Sequence, residues 1–182
     1  MNAKEFERIC KYRMEQEEKK GLAIMSRYGV QARLLDGRWQ PIPSYPDFEG
    51  VTPDGRQFIF DAKVCSQASF PLKNDDKYER QQRKHMFKRS RFNVTCFYLI
   101  HFPERRLLTR VDDPVTVAFP VTEDHHFWES CITGEAKRIT RDDCYHYGIT
   151  VQWNAPEKTR TPRPDILQAV LDLRCCAGNH AA

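Results

Sequence analysis

The sequence predicts an α/β fold, a mixed central sheet flanked by helices, and three stretches predict it. Gln57–Val64 (QFIFDAKV) is rich in β-branched and aromatic residues and reads as a strand. Thr95–Phe102 (TCFYLIHF) is nearly continuous apolar, as a strand covered on both faces would be. Between them, Lys77 to about Arg89 reads as a basic helix, so strand, helix and strand follow one another.

Taken in order, 3–25 reads as a first helix. Phe6, Ile9, Cys10 and Tyr12 to Met14 give a partial apolar stripe, and Gly21 and Gly29 are plausible breaks. Residues 30–35 (VQARLL) read as a strand followed by an Asp36-Gly37 turn. Residues 40–46 hold three prolines and read as a loop, because proline cannot serve a central strand. Cys65 to Asn74 reads as a loop in which Lys73 could reach a phosphate, with Asn74 or Asp75 as the cap of the basic helix. Residues 107–111 and 115–119 read as short strands and 124–131 as a helix. Thr140 to Asp143 resembles a capped helix start, and 149–153 reads as a last strand. Residues 154–164, with three prolines, read as an extended arm. Residues 165–173 read as a short amphipathic helix, and 177–182 as a disordered tail. The expected organisation is one catalytic domain over 1–155, with its core at 44–102, followed by a C-terminal linker, helix and tail over 156–182.

The chemistry concentrates at a hairpin. Thr52-Pro53-Asp54-Gly55 is a turn signal, with proline pre-set for its first central position and glycine free to take positive φ. A hairpin centred near Asp54 pairs residues whose numbers sum to about 108. Asp47 and Asp61 then lie opposite each other, with Cβ atoms about 5 Å apart. Lys63 shares the face of Asp61, while Phe60 and Ala62 point the other way. Two adjacent carboxylates repel unless something neutralises them, and a hard divalent cation does so. Such a cation lowers the pKa of a bound water and offsets phosphate charge. Lys63 could orient that water or stabilise the charged transition state. The plainer alternative is a solvated hairpin whose Asp and Lys pair weakly.

The formal net charge is only +4, but its distribution is uneven. Lys77, Arg80, Arg83, Lys84, Lys88, Arg89 and Arg91 stand against the single Glu79 in one stretch, the footprint expected for contact with phosphates. No apolar run is long enough for a membrane helix. The N-terminus lacks the apolar core of a signal peptide. The 7 cysteines show no zinc-knuckle or framework spacing. Free thiols and a cytoplasmic location are therefore expected. Cys175-Cys176 with His180 is only a weak metal suggestion. His101 reads as a structural residue, and His125-His126 has no partner at ligand spacing.

The strings PDFEG, FIFDAKV, SFPLKN, His85-Met86 and FYLIHF resemble the RecU-type Holliday junction resolvases of the PD-(D/E)xK nuclease superfamily. A weaker similarity continues through Phe127-Trp128, Lys137 to Ile139 and Tyr147 to Trp153. The resemblance implies a restriction-endonuclease-like arrangement of the sheet. It implies metal ligation by Asp47, Asp61 and the carbonyl of Ala62, with Lys63 as the catalytic lysine and Gln82 completing the site from the helix. The cofactor implied is Mg²⁺, with Mn²⁺ as the alternative. The chain departs from the family in three places. The family has Glu where this chain has Asp61, and 75–80 is a local insertion before Gln82. The family's long stalk before the first aspartate is replaced by no more than 35–45.

The function expected on this resemblance is metal-dependent endonucleolytic cleavage of DNA, resolving Holliday junctions or other branched recombination intermediates. A homodimer is expected, since a four-way junction presents two symmetric strands. DNA contacts are expected from Lys73, Lys77, Arg80, Arg83, Lys84, Lys88, Arg89 and Arg91. The rivals are a restriction, nicking or repair endonuclease acting on duplex DNA, and a non-catalytic DNA-binding module. Glu15, Glu17 or Glu18 of the first helix could join the metal site, but they read first as surface charges.

Overall fold

Helix α1 (Ala3–Lys19) starts where Asn2 caps it, its side chain accepting the N–H of Glu5 at 2.9 Å. Phe6, Cys10 and Met14, spaced by four, are fully buried and form its inward stripe. The computed structural model describes residues 1–27, 32–35, 38–41, 46–72, 76–109, 111–132, 136–154 and 162–178. The helix ends earlier than the sequence suggests. Gly21 takes a φ of +71°, and the chain turns into β1 (Ile24–Arg27). Next come β2 (Ala32–Leu35) and β3 (Arg38–Pro41), which pair antiparallel as a separate two-stranded ribbon. Gln40 and Pro41, expected in a loop, thus close a ribbon in which Pro41 is terminal and proline is tolerated. Residues 28–31 and 42–45 lie outside the described residues.

The hairpin follows as β4 (Phe48–Val51) and β5 (Gln57–Val64), with Gly55 at φ +79° in the turn. Its partners are Phe48 with Phe60, Glu49 with Ile59, and Val51 with Gln57, the register expected from the turn chemistry. Strand β6 (Ser69–Pro71) occupies part of the segment that reads as a loop. Helix α2 (Lys77–Ser90) is capped by Asp76, one residue beyond the expected cap, whose carboxylate accepts from Tyr78 and Glu79 N–H. Strand β7 (Thr95–Phe102) has the bounds read from the sequence.

Strands β8 (Arg105–Arg106) and β9 (Val111–Asp112) form a small hairpin ahead of β10 (Val115–Pro120). Helix α3 (His126–Ile132) leads to β11 (Arg138–Thr140), which pairs with β6. Helix α4 (Arg141–Tyr147) opens on a complete capping box between Thr140 and Asp143. The expected last strand is two short ones, β12 (Ile149–Thr150) and β13 (Trp153–Asn154). β13 pairs with β14 (Arg163–Pro164), and α5 (Ile166–Gly178) closes the described chain. This helix runs five residues past the expected end at Leu173, through Cys175-Cys176. His180 lies outside the described residues.

The main sheet has six strands in the order β1-β4-β5-β7-β10-β12, and only β5 and β7 are parallel. Parallel neighbours require a crossover, and β6 and α2 provide it. The amino end of α2 therefore lies at the carboxyl end of β5. One sheet face carries Ile59, Cys96, Tyr98 and Ile100 under α2, α3 and α4, with Met86, Trp128 and Cys144 packed on them. The other carries Phe58, Phe60, Ala62, Phe97 and Leu99 under α1 and α5.

A polar triad is embedded near the second face. The indole N–H of Trp153 donates to Thr116 Oγ1 at 2.8 Å, and Thr116 Oγ1 lies 2.8 Å from His101 Nδ1. Tryptophan can only donate, so the threonine oxygen accepts from the indole and shares a second hydrogen bond with the histidine ring. Burial pushes the pKa of His101 down to about 4, so its ring is neutral at physiological pH. Thr116→Val leaves both partners unsatisfied. It is expected to lower unfolding stability by about 1–3 kcal/mol, read by chemical denaturation.

Candidate active site

Asp47 stands one residue before β4 and extends its register. The turn thereby brings its carboxylate to the end of β5, where Asp47 Oδ2 accepts the N–H of Ala62 at 3.0 Å. Asp61 is completely buried, and the Nζ of Lys63 touches its Oδ2 at 2.5 Å. The Lys63 side chain remains 24 % exposed, so the pair opens to solvent at the lysine. Tyr98 lies beside Asp61 in the parallel register and is buried. The expected convergence of Asp47, Asp61 and Lys63 is therefore present.

Burial, and then the neighbouring Asp61 carboxylate, raise the pKa of Asp47 to about 8. For Lys63, burial favours the neutral form, but Asp61 and then Asp47 more than offset it and hold the ammonium above the ordinary lysine range. Without a cation, the two aspartates thus favour the charged, donating form of Lys63. Neither oxygen of Asp61 has a hydrogen-bond partner of normal geometry among the described residues. Buried carboxylate oxygens without donors cost free energy unless something compensates them. An oxygen-seeking divalent cation fits this donor set of two carboxylates on adjacent strands. No cluster of three or more His, Cys, Asp or Glu occurs among the described residues, so backbone oxygen, water and substrate would complete such a shell.

Asp47 couples this site to pH. Its folded pKa of about 8 lies above the ordinary aspartate value of 3.8. Without a cation, the folded chain therefore holds a proton that the unfolded chain has lost. That contribution to stability is complete below pH 4 and is lost as pH rises toward 8. His101 acts in the opposite sense, but only below its ordinary 6.5. From pH 6.5 to 8 the cation-free protein is thus expected to lose thermal stability. A divalent cation displaces the proton. Titration calorimetry with Mg²⁺ should show release of about one proton, and apparent affinity rising about tenfold per pH unit until pH 8.

The other expected residues are distributed as follows. Gln82 is buried in the second turn of α2. Ala62 lies among the buried apolar residues of the second face, its N–H taken by Asp47. Arg80, Lys84 and Lys88 on α2, and Arg91 just past its end, are exposed at helical spacing and form one outward stripe. Arg91 is ion-paired with Glu123, Arg89 reaches Gln57 Oε1 at 3.4 Å, and Arg83 is buried. Lys73 lies outside the described residues, as does the Lys77 side chain.

Of the first-helix acids, Glu18 is exposed and Glu15 pairs with Lys11 at 3.3 Å, as surface charges do, whereas Glu17 is not at the surface. Glu17 is buried, paired with Arg13 at 3.1 Å and Lys20 at 3.5 Å, and Arg13 continues to Asp165 at 3.4 Å. It belongs to the α1–α5 contact. Cys10 is the α1 side chain whose pKa feels Asp47, after burial, its main cause. Tyr98 and Cys10 are neighbours of the site that sequence reading missed. Tyr98 sits in an apolar run and Cys10 on an apolar helix stripe, and neither pattern carries a chemical signature. Cys10, Cys65, Cys96, Cys131 and Cys144 are free thiols, as expected.

Comparison with known proteins gives this geometry a lineage. The family model of recombination protein U, RecU, matches residues 39–160. No curated protein sequence matches the chain. Among solved structures, the chain is similar to Archaeoglobus fulgidus Hjc, a Holliday junction resolvase from an archaeal hyperthermophile. The identity is 16 % and the TM-score 0.45, over 81 % of this chain and 94 % of that one. Two thirds of the sequence, including the aspartate hairpin, the basic helix and the long apolar strand, thus match a single family, and the chain belongs to the RecU family of Holliday junction resolvases.

Proposed function

We propose that this RecU-family chain is a divalent-metal-dependent endonuclease that cleaves four-way DNA junctions, acting as a homodimer in the cytoplasm. The observation that carries the metal dependence is the burial of two acidic side chains, Asp61 and Asp47, against each other with the Lys63 ammonium as counter-charge. Asp47, Asp61 and the Ala62 carbonyl would hold Mg²⁺ or Mn²⁺. Bound there, the cation supplies an ionised water and charge neutralisation at the scissile phosphate. Asp47 gives up its proton on loading and is kept in place by the Ala62 N–H. Lys63 keeps its proton and directs a cationic donor at the phosphate oxygen that gains charge. Gln82 lines the helix side. The exposed stripe of Arg80, Lys84 and Lys88 on α2 and Arg91 at its end, together with Lys73 and Lys77, would follow the phosphate backbone. The phosphodiester is hydrolysed with departure of the 3′-oxygen.

Among the described residues no helix is long and apolar enough to cross a membrane. The deciding experiment offers end-labelled four-way junction and matched linear duplex, each with Mg²⁺, Mn²⁺ or EDTA. Paired, symmetric, metal-dependent nicks near the branch point are expected. Duplex cutting alone would leave a nuclease without junction preference, and binding without cutting would leave a DNA-binding module.

A further inference from the structure

A concavity of about 480 Å³ lies between α3, β11 and α4, lined by His126, Phe127, Lys137, Arg138, Asp143 and Tyr147. Its volume falls within the range of small-ligand sites, roughly 300–1,000 Å³. Its position follows from strand pairing. Leu72 N–H donates to the Lys137 carbonyl at 2.9 Å, and Arg138 and Thr140 pair with Pro71 and Ser69. Ser69 lies six residues past Lys63, so chain length alone holds the two within about 22 Å. That is less than one turn of duplex, about 34 Å. The concavity is on the α2 side of the sheet, since Phe127, Ile139 and Cys144 pack in that core.

Its charges are arranged for an anion. Lys137 and Arg138 are exposed, and neither is ion-paired among the described residues. Alternation along β11 buries Ile139 between the outward Arg138 and Thr140. The one aspartate in the lining is already committed, accepting from Thr140 N–H and Oγ1, both at 2.7 Å. His126 leans on Glu129 at 3.4 Å. The walls are firm. Phe127 meets Tyr147 with ring centroids 6.0 Å apart, and Arg141 ties the start of α4 to the carbonyls of Asp113 and Pro103.

We propose that this groove is a second DNA-binding subsite, in which Lys137 and Arg138 bind backbone phosphates of the strand leaving the catalytic end while the Phe127–Tyr147 wall supports its sugars or bases. The inference rests on the DNA-cleaving reading above and adds a contact surface separate from α2. Each phosphate neutralised adds about 0.9 to the slope of log affinity against log salt. Anisotropy of labelled four-way junction and linear duplex, in EDTA so that nothing is cut, is to be measured across a salt series. Three proteins are compared: wild type, Lys137→Gln/Arg138→Gln, and a control, Lys4→Gln/Arg8→Gln, which removes equal charge from α1 on the other sheet face.

The groove variant is expected to lose between one and two from the slope and about tenfold in affinity, while the control stays near wild type. A wild-type slope in the groove variant overturns the subsite, as do equal losses in both variants, which report only overall charge. All the exchanged residues are exposed, and matching thermal melts confirm folding. The wild type's cleavage of junctions is scored separately. A groove variant with reduced slope upholds the subsite even if the junction preference fails.

Discussion

Asp61→Ala is expected to abolish cleavage of four-way junctions, by about 10³-fold or more, while DNA binding survives or tightens. Asp61 is fully buried at the end of β5, and its oxygens have no donors to satisfy them other than the Lys63 ammonium. Removing it takes away one of two protein carboxylates for the cation. Metal stabilisation of transition-state charge is worth several kcal/mol, and each 1.36 kcal/mol is about tenfold in rate. Binding moves in the opposite direction because a buried negative charge near the phosphates disappears. Single-turnover cleavage and anisotropy on the same junction separate the two effects. Parallel loss of both would remove Asp61 from the metal site. Asp61→Asn, closer in shape, serves as the folding control.

The second large effect is expected at Lys63. Lys63→Gln keeps length and some donor capacity but loses the charge. Removing one preorganised donor from a developing oxyanion costs about 10²–10³ in kcat, and that loss is expected here in single-turnover cleavage. Affinity for DNA should fall little, because one charge among many is removed. A further signature separates this role from a merely structural one. In wild type the ammonium contacts Asp61 at 2.5 Å and also counters Asp47. The cation-free variant, with the buried Asp61 carboxylate beside Asp47 and no internal counter-charge, should melt lower than wild type, and a saturating divalent cation should restore most of the difference. Unchanged kcat would show that Lys63 only neutralises the aspartates.

The hairpin was readable because its signals are local. Pro53 and Gly55 set the turn, period-two alternation set the faces, and the register brought Asp47 to Asp61 without knowledge of any other element. Strand β7 was equally plain, since a strand buried on both faces leaves an unbroken apolar run. The elements that escaped reading depend on distant partners. Strand β6 has three residues and pairs with β11, nearly seventy residues away. Strand β1 is four residues beside β4 and is indistinguishable in sequence from the tail of α1 until Gly21 adopts positive φ. Glu17 carries a surface residue's identity but is buried and paired with Arg13, which in turn reaches Asp165 near the far end of the chain.

By itself, the sequence determined the α/β class, the aspartate pair, its lysine and the basic helix, because each is encoded by neighbours within one turn, strand or helix. Tertiary structure alone decided which basic side chains face outward and which are buried or paired. It raised the pKa of Asp47 and that of Lys63, and it paired the strand that carries Arg138 with β6. Burial and charge coupling act through space, and the residues that produce them here are separated by tens of positions along the chain.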